Sequence, residues 1–211
     1  MTRIAVIVAL GGFLMGFDAS VISGVVRFVE AEFALDALEL GWVVASLALT
    51  SSFAMLVAGP VSDRIGRRAT LRIAAALFFL SAIASAFAPD YLSLVLARML
   101  GGLGVGAALI IAPMYIAELA PAAQRGRLVS INQLNIVVGI SAAFFSNYLL
   151  LRLGSAPSEF LAALGFGAGT WRWMLGVEAL PALFYLFALF AVPESPRRLL
   201  LRGEPARARS I

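Results

Sequence analysis

The sequence predicts an all-α integral membrane protein of six transmembrane helices, and three observations support that fold class. Of its 211 residues, 62% are hydrophobic and only 13% are charged, whereas a soluble domain is about half apolar and about a quarter charged. Six apolar runs are each long enough to cross a bilayer, which takes ~20 residues. The basic residues, all of them arginine, fall mostly in the gaps on one side of those runs.

Each apolar run is predicted to be one membrane span, and residues 1–192 together form one bundle. The first run is not a signal peptide, because it is too long and holds Asp18 in its middle. Short hydrophilic gaps separate the later runs. The predicted spans are 4–26, 40–61, 69–88, 92–116, 128–150 and 171–192.

The distribution of arginine predicts the orientation of the spans. Twelve arginines lie before the first span or in and beside the gaps after the second, fourth and sixth spans, and three lie in or beside the opposite gaps. Because arginine accumulates in cytoplasmic loops, we expect both termini in the cytoplasm. The gap 27–39 carries Glu30, Glu32, Asp36 and Glu39, which suits an exterior loop.

Composition also excludes several classes of function. The sequence has no cysteine and no histidine, which removes disulfides and the commonest metal ligands. It shows no metal-ligand cluster and no nucleophile–base pair, so we expect neither an enzyme nor a bound metal or cofactor. Aromatic residues do not alternate with the arginines, so no nucleic acid partner is expected.

Two ionisable residues are clear cases of charge inside the membrane, Asp18 in span 1 and Arg98 in span 4. Counted along their helices at ~1.5 Å per residue, both lie on the outer side of the bilayer centre, roughly 4.5 and 9 Å from it. An Arg side chain can bridge that difference. The pair is consistent with a proton site, whose carboxylate would titrate, or with a static buried salt bridge.

Span 5 carries a polar face. Gln133, Ile136 and Ile140 follow one another on one side of a helix, and Asn147 returns to roughly the same side. Such a face suits a water-filled cavity that binds hydroxyl groups. It also suits hydrogen bonds between helices, each worth about 0.6–2 kcal/mol in a membrane.

Glycines predict close helix packing in two spans. Gly12 and Gly16 form a GxxxG pair in span 1, and Gly102 and Gly106 form another in span 4. Small residues let helix backbones approach each other in lipid. We therefore expect spans 1 and 4 to have near neighbours.

A decapeptide at the gap between spans 2 and 3 has a residue pattern more specific than a basic membrane anchor requires. It runs from Gly59 to Arg68 as GPVSDRIGRR. Asp63 lies close to the start of span 3, where a carboxylate satisfies free N–H groups. The arginines can bind helix carbonyls or carboxylates, or act only as a positive-inside anchor.

This decapeptide resembles the signature loop of the major facilitator superfamily. The run PMYIAELAP at 113–121, followed by Arg125-Gly126, and the run PESPR at 193–197 resemble two hallmarks of its sugar porters. Gly16-Phe17-Asp18 and Gln133-Leu134 fit the same pattern. The chain is therefore similar to the N-terminal six-helix half of a sugar porter, a sugar/proton symporter, over nearly its whole length.

The resemblance implies secondary active transport of a monosaccharide or polyol by alternating access, in a multi-pass protein of the plasma (inner) membrane built of two inverted three-helix repeats. It implies that Asp18 and Arg98 couple transport to protons, and that Gln133, Ile136 and Ile140 line the sugar cavity. Met15 and Asn147 are further candidate substrate contacts, and Met15 stands where the family often has an aromatic residue. The positions that match the family's cytoplasmic gate are Asp63, Arg64, Gly66, Arg67, Arg68, Glu118, Arg125, Glu194 and Arg197.

Family members have twelve helices, and this sequence has six apolar runs followed by residues 193–211, which resemble the start of a cytoplasmic linker. The partners expected are a sugar or polyol, a proton, membrane lipid and a second six-helix half, either a separate chain or a second copy. Two alternatives stay open. The chain is a truncated, transport-incompetent fragment, or it is a non-transporting membrane interaction module.

Overall fold

The structure, a computed structural model, describes residues 2–155, 163, 165–167, 169–195, 198–199 and 203. Regular structure in these residues is helical throughout. Helices α1 to α5 are each long and apolar enough to cross a membrane. The helices are α1 Thr2–Phe33, α2 Ala37–Ile65, α3 Arg67–Ala86, α4 Tyr91–Leu119, α5 Arg125–Gly154, α6 Thr170–Gly176 and α7 Ala179–Ala188, with a 3₁₀ turn Ala122–Gln124 before α5.

Local signals set the starts of two helices. Asp36 and Asp90 cap α2 and α4 through capping boxes, in which each carboxylate accepts a backbone N–H of the first turn. We call the end of the bundle that contains these two caps the acidic end. The opposite end, which contains the α2–α3 junction and the residues after α7, is the arginine-rich end. There Gly66 has φ +103°, a conformation that favours glycine, and it separates α2 from α3.

The sixth predicted span, 171–192, is not one continuous helix. The chain forms α6, turns through Val177 and Glu178, and continues as α7. Pro181 has no N–H to donate to the carbonyl four residues earlier, which is that of Val177. Leu180 donates to that carbonyl instead, at 3.1 Å, and the tighter bond marks the break between the two helices.

Glycines determine which helices pack closely against each other. A Cβ atom at Gly16 would collide with the carbonyl of Ile136, so α1 and α5 pack backbone to backbone. Gly102 and Gly106 lie equally close to the backbone of α2. The close neighbours expected for spans 1 and 4 are thus α5 and α2, respectively. In addition, α1 contacts α4, and α3 packs against α4, α6 and α7.

Two apolar clusters fill the interior, one toward each end of the bundle. The cluster toward the arginine-rich end includes Phe78, Tyr115 and Tyr185. The cluster toward the acidic end includes Leu94 and Trp171. The buried ionisable residues described below lie between the two clusters.

Helices α2 and α5 are the least covered of the five spans. Only 28% of the apolar window of α2 and 22% of that of α5 is buried, against 61% for α4. Large apolar side chains such as Phe53, Leu56, Phe144 and Phe145 are exposed on them. Lipid or a further protein surface must therefore cover two broad faces of the bundle.

Candidate functional site

The pair expected from the depths of spans 1 and 4 is present. Nη1 of Arg98 lies 3.2 Å from Oδ1 of Asp18, and the two side chains are only 3% and 5% exposed. Arg98 also donates from Nε to the carbonyl of Val43 in α2, at 3.1 Å. Gly101 lies beside the pair, where an added Cβ would collide with Oγ of Ser81 at 2.5 Å and would only touch Oδ2 of Asp18 at 3.5 Å. Three helices thus fix the pair.

A third buried ionisable group, Glu178, belongs to the same site, and the count of two intramembrane charges was wrong. Glu178 is 4% exposed at the break between α6 and α7. It interacts electrostatically with both Asp18 and Arg98. Its Oε1 atom is buried and has no hydrogen-bond partner among the residues that the structure describes. The sequence could have identified this residue, because Glu178 is an acidic residue within an apolar run.

The polar face predicted on span 5 divides into two. Gln133 is exposed, whereas Ile136 is buried against α1 and Ile140 is half-buried. Asn147 is buried as well, and its Nδ2 donates to the carbonyl of Val21 at 3.0 Å. The four residues therefore do not line one open surface, because the glycine contacts with α1 cover the side that carries Ile136 and Asn147. This face was interpreted either as the lining of a cavity or as a source of hydrogen bonds between helices, and Asn147 makes the second kind of contact.

Two further residues belong to this region. Met15, placed in the sugar cavity by the resemblance, is half-buried against the apolar cluster toward the arginine-rich end. Asn132, which the sequence analysis missed, is buried next to Gly12. An asparagine one position before Gln133 is the signal that could have found it.

At the arginine-rich end, Arg67 joins two helices. It is a buried arginine whose guanidinium contacts Asp63, four residues earlier near the end of α2, and lies 3.2 Å from Oε1 of Glu118 at the end of α4. A buried guanidinium with two carboxylate partners has its charge compensated. The contact therefore holds the α2–α3 junction against the end of α4.

Arg68 and Arg72 attach α3 to the end of α7. Arg68 donates to the carbonyl of Phe190 at 2.7 Å, and Arg72 donates to that of Leu189 at 3.3 Å. These carbonyls end a helix and have no partner within it, and cations are favoured there. Glu194 completes the contact by accepting the backbone N–H of Arg68 at 3.4 Å.

Not every residue matched to the gate joins this network. Arg125 is exposed and makes no ion pair or side-chain hydrogen bond within the described residues, whereas Arg64 contributes its carbonyl, which accepts from Arg198 at 3.2 Å. Arg197 and most of the linker 193–211 lie outside the described residues. Two residues of this network were not predicted from the sequence: Arg198, and Tyr115, whose hydroxyl donates to the carbonyl of Pro193.

A family model described as sugar (and other) transporter matches residues 4–211 of the chain. The glucose transport protein of Synechocystis sp. is 45% identical over 97% of this chain and 43% of that protein. The D-xylose-proton symporter of Escherichia coli K12 is 40% identical over 99% of this chain and 46% of that protein. The chain thus spans less than half the length of these curated relatives.

Solved structures give the same result. The proton:xylose symporter XylE bound to 6-bromo-6-deoxy-D-glucose superposes with a TM-score of 0.89 at 37% identity, over 99% of this chain and 48% of that one. A partially occluded inward-open form of XylE from E. coli superposes with a TM-score of 0.88. Proteins of this kind are multi-pass transporters of the inner membrane and not enzymes. The chain belongs to the sugar (and other) transporter family, and corresponds to the N-terminal half of a sugar porter of the major facilitator superfamily.

Proposed function

We propose that this chain is one half of a proton-coupled transporter that moves a monosaccharide or polyol across the membrane by alternating access. The observation that carries the proposal is the buried cluster of Asp18, Arg98 and Glu178 at the meeting of α1, α4 and the α6–α7 break. The family and the names of the relatives support a sugar as the substrate.

The proposed topology has six crossings, formed by α1 to α5 and by α6 with α7 together. Both termini are in the cytoplasm, and the halves 1–3 and 4–6 are inverted repeats. The arginine count supports this orientation. A second six-helix half, from a separate chain or a second copy, covers the exposed apolar faces of α2 and α5.

The charge count of the buried cluster supports proton coupling. Two carboxylates and one guanidinium carry one excess negative charge when all three are ionised. A buried uncompensated charge is costly, so a cluster of this composition favours holding one proton. When Asp18 takes up a proton, its ion pair with Arg98 is lost and the Glu178 carboxylate becomes the counter-charge of Arg98.

This exchange of partners links the proton to the movement of helices. Asp18, Arg98 and Glu178 belong to α1, α4 and the α6–α7 segment, so a change of partner alters the contacts between three helices. The exposed amide of Gln133 on α5 is the group proposed to bind sugar hydroxyls, next to Ile140. Ile136, Met15 and Asn147 then support this surface from behind.

The contacts at the arginine-rich end form the proposed cytoplasmic gate. Arg67 ties the α2–α3 junction to Glu118, and Arg68 ties α3 to the carbonyl of Phe190. Charge-assisted hydrogen bonds are strong when they are buried and are lost together when helices separate. The gate residues therefore stabilise one of the two access states.

Uptake of radiolabelled xylose and glucose tests the proposal. Transport-deficient cells express this chain alone, or together with the C-terminal half of the E. coli D-xylose-proton symporter, and a pH gradient is imposed. Asp18→Asn is compared with Asp90→Asn, a matched change at an exposed helix cap that asparagine also fills well. We expect Asp18→Asn to abolish accumulation and Asp90→Asn to leave it intact.

The other outcomes are equally informative. Uptake by the chain alone identifies a homodimeric transporter. Uptake only with the second half shows that the chain is one half of a transporter. No uptake in either arrangement, from a chain that folds and reaches the membrane, overturns the transport proposal in favour of a non-transporting membrane module. Accumulation that survives Asp18→Asn rejects the coupling role alone.

A further inference from the structure

An apolar groove of about 610 Å³ runs between α3 and the α6–α7 segment. Its volume is within the range of ~300–1,000 Å³ that small-molecule sites have. The larger side chains that form its walls are Phe79, Ile83, Phe87, Trp173, Leu180 and Leu183. No step of the proposed transport mechanism uses this groove.

The groove spans the depth of one leaflet. It extends from Arg172 at the acidic end to Leu183, eleven residues along the α6–α7 segment, or about 16 Å of helix. One leaflet of the hydrocarbon core is about 15 Å thick, half of the ~30 Å bilayer. The groove therefore begins at the membrane interface and ends close to the bilayer centre.

The lining matches hydrocarbon and little else. Of the fifteen lining residues, only Arg172 is charged, and it stands at the acidic end. Its Nη2 already lies 2.8 Å from Oε1 of Glu32, so its charge is compensated within the protein. Trp173, which is 41% exposed and stacks on Phe166, marks the headgroup level where membrane proteins place their tryptophans.

Small residues make the floor of the groove. Ala86 of α3 faces Gly176 of α6, where an added Cβ would lie 3.2 Å from that of Ala86. Ala179 continues the floor past the helix break. The side chains of Ile83 and Leu180 flank this floor and are exposed. The groove is therefore concave toward the surrounding lipid rather than a flat helix surface.

We propose that this groove holds one acyl chain of a phospholipid from the leaflet at the acidic end. The depth of the groove and its apolar lining identify the occupant, because acyl chains surround any concave apolar surface that lies within one leaflet. The inference requires only that the chain is embedded in a membrane, and it does not depend on sugar transport.

The bound chain packs on the back of the buried charge cluster. Val177 and Ala179 line the groove, whereas Glu178 between them is 4% exposed and interacts with Asp18 and Arg98. The acyl chain therefore packs against the α6–α7 break, at the position that carries the carboxylate of Glu178. Filling the groove stabilises the α6–α7 break against bending toward the lipid.

Tryptophan quenching by a brominated lipid tests the site. The protein is purified in mild detergent and titrated with a phosphatidylcholine that carries dibrominated oleoyl chains. The variant Trp42→Phe reports on Trp173, because the remaining Trp171 is fully buried, and Trp173→Phe reports on Trp42 on the exposed face of α2. We expect Trp173 to reach half-quenching at about one third of the lipid concentration that Trp42 requires, a modest preference because packing alone favours the groove over other lipid contacts.

Two matched pairs of substitutions locate the effect. Ala86→Leu fills the floor, whereas Ala84→Leu adds the same group to an exposed position of α3 outside the groove. Ile83→Ala removes part of a wall without adding bulk, with Leu80→Ala as its exposed counterpart. Ala86→Leu and Ile83→Ala should each remove the difference between Trp173 and Trp42, and the two controls should retain it.

Three results would overturn the proposal. Equal quenching curves for Trp173 and Trp42 would mean ordinary lipid contact without a site. A preference that survives both groove variants would place the lipid elsewhere. No quenching of Trp173 at any lipid concentration would mean that protein, such as a second half, covers the groove.

Discussion

The buried cluster predicts unequal costs for removing its two charge partners. Asp18→Asn removes one carboxylate and leaves the charges of Arg98 and Glu178, which interact electrostatically, so the cluster becomes neutral without a bound proton. Arg98→Gln removes the only guanidinium and leaves two buried carboxylates, both of which must then be protonated or desolvated. The arginine variant should therefore be much less stable than the aspartate variant.

The structure sets the size of the difference. The side chains of Asp18 and Arg98 are 5% and 3% exposed, so solvent screens neither charge. Stranding a buried charge costs about 3–5 kcal/mol, which we expect for Arg98→Gln. Asp18→Asn keeps a hydrogen-bond acceptor and should cost about 1 kcal/mol. At about 2–4 °C per kcal/mol for a chain of this size, the expected falls in Tm are about 6–20 °C and about 2–4 °C.

The assay is thermal unfolding in mild detergent, followed by intrinsic tryptophan fluorescence. A third variant, Glu178→Gln, and its combination with Asp18→Asn complete a double-mutant cycle. Each single change leaves Arg98 with one carboxylate, whereas the double change leaves it with none. The double variant should therefore lose far more stability than the sum of the two single variants.

Two results would refute this reasoning. If Asp18→Asn lowered Tm as much as Arg98→Gln, Glu178 would not serve as a second counter-charge for Arg98. If the two carboxylate variants were additive, they would not share one partner, and the proton-holding cluster would reduce to a salt bridge between α1 and α4.

Three further predictions concern the helix contacts and the exposed amide. Gly16→Ala should destabilise the bundle by about 1–3 kcal/mol because its Cβ meets the α5 backbone, whereas Gly41→Ala, with open space at its Cβ, should leave Tm unchanged or slightly raised. Arg67→Gln should lower Tm clearly and the exposed Arg125→Gln should not, and equal losses would reject the gate contacts. Gln133→Ala should reduce sugar uptake without lowering Tm, and a loss of stability instead would show that the exposed amide supports the fold.

The sequence could predict the Asp18–Arg98 contact because helical rise converts a residue count into depth. Two charges at similar depth in two apolar runs have few other partners. The same reasoning applies to Glu178, which lies inside the sixth apolar run, but its depth depends on a segment that turns at Val177 and Glu178 between two helices. A depth count along one continuous span does not describe two shorter helices.

The direction of the polar face on α5 could not be predicted from its own residues. Helical spacing places Gln133, Ile136 and Asn147 within one broad sector. The glycines of α1 then decide which part of that sector is covered, because they admit the backbone of α5 next to Gly16. Small residues on one helix thus determined the exposure of polar residues on another.

The contacts at the arginine-rich end combine a local and a distant component. The contact of Arg67 with Asp63 joins residues four positions apart across the α2–α3 junction, and their closeness in the sequence is enough to suggest it. The contacts of Arg67 with Glu118 and of Arg68 with Phe190 join segments 51 and 122 residues apart. Only the packing of α3 against α4 and α7 brings those segments together.

Sugar-induced proton uptake measures the coupling role proposed for Asp18. The chain is reconstituted in vesicles with the second half that supports its transport, and the pH of a weakly buffered medium is followed after xylose or glucose is added. We expect sugar to make the medium alkaline with the native chain, and Asp18→Asn to abolish the pH change while labelled sugar still exchanges across the membrane. Proton uptake that persists in Asp18→Asn would contradict the assignment of Asp18 as the coupling carboxylate.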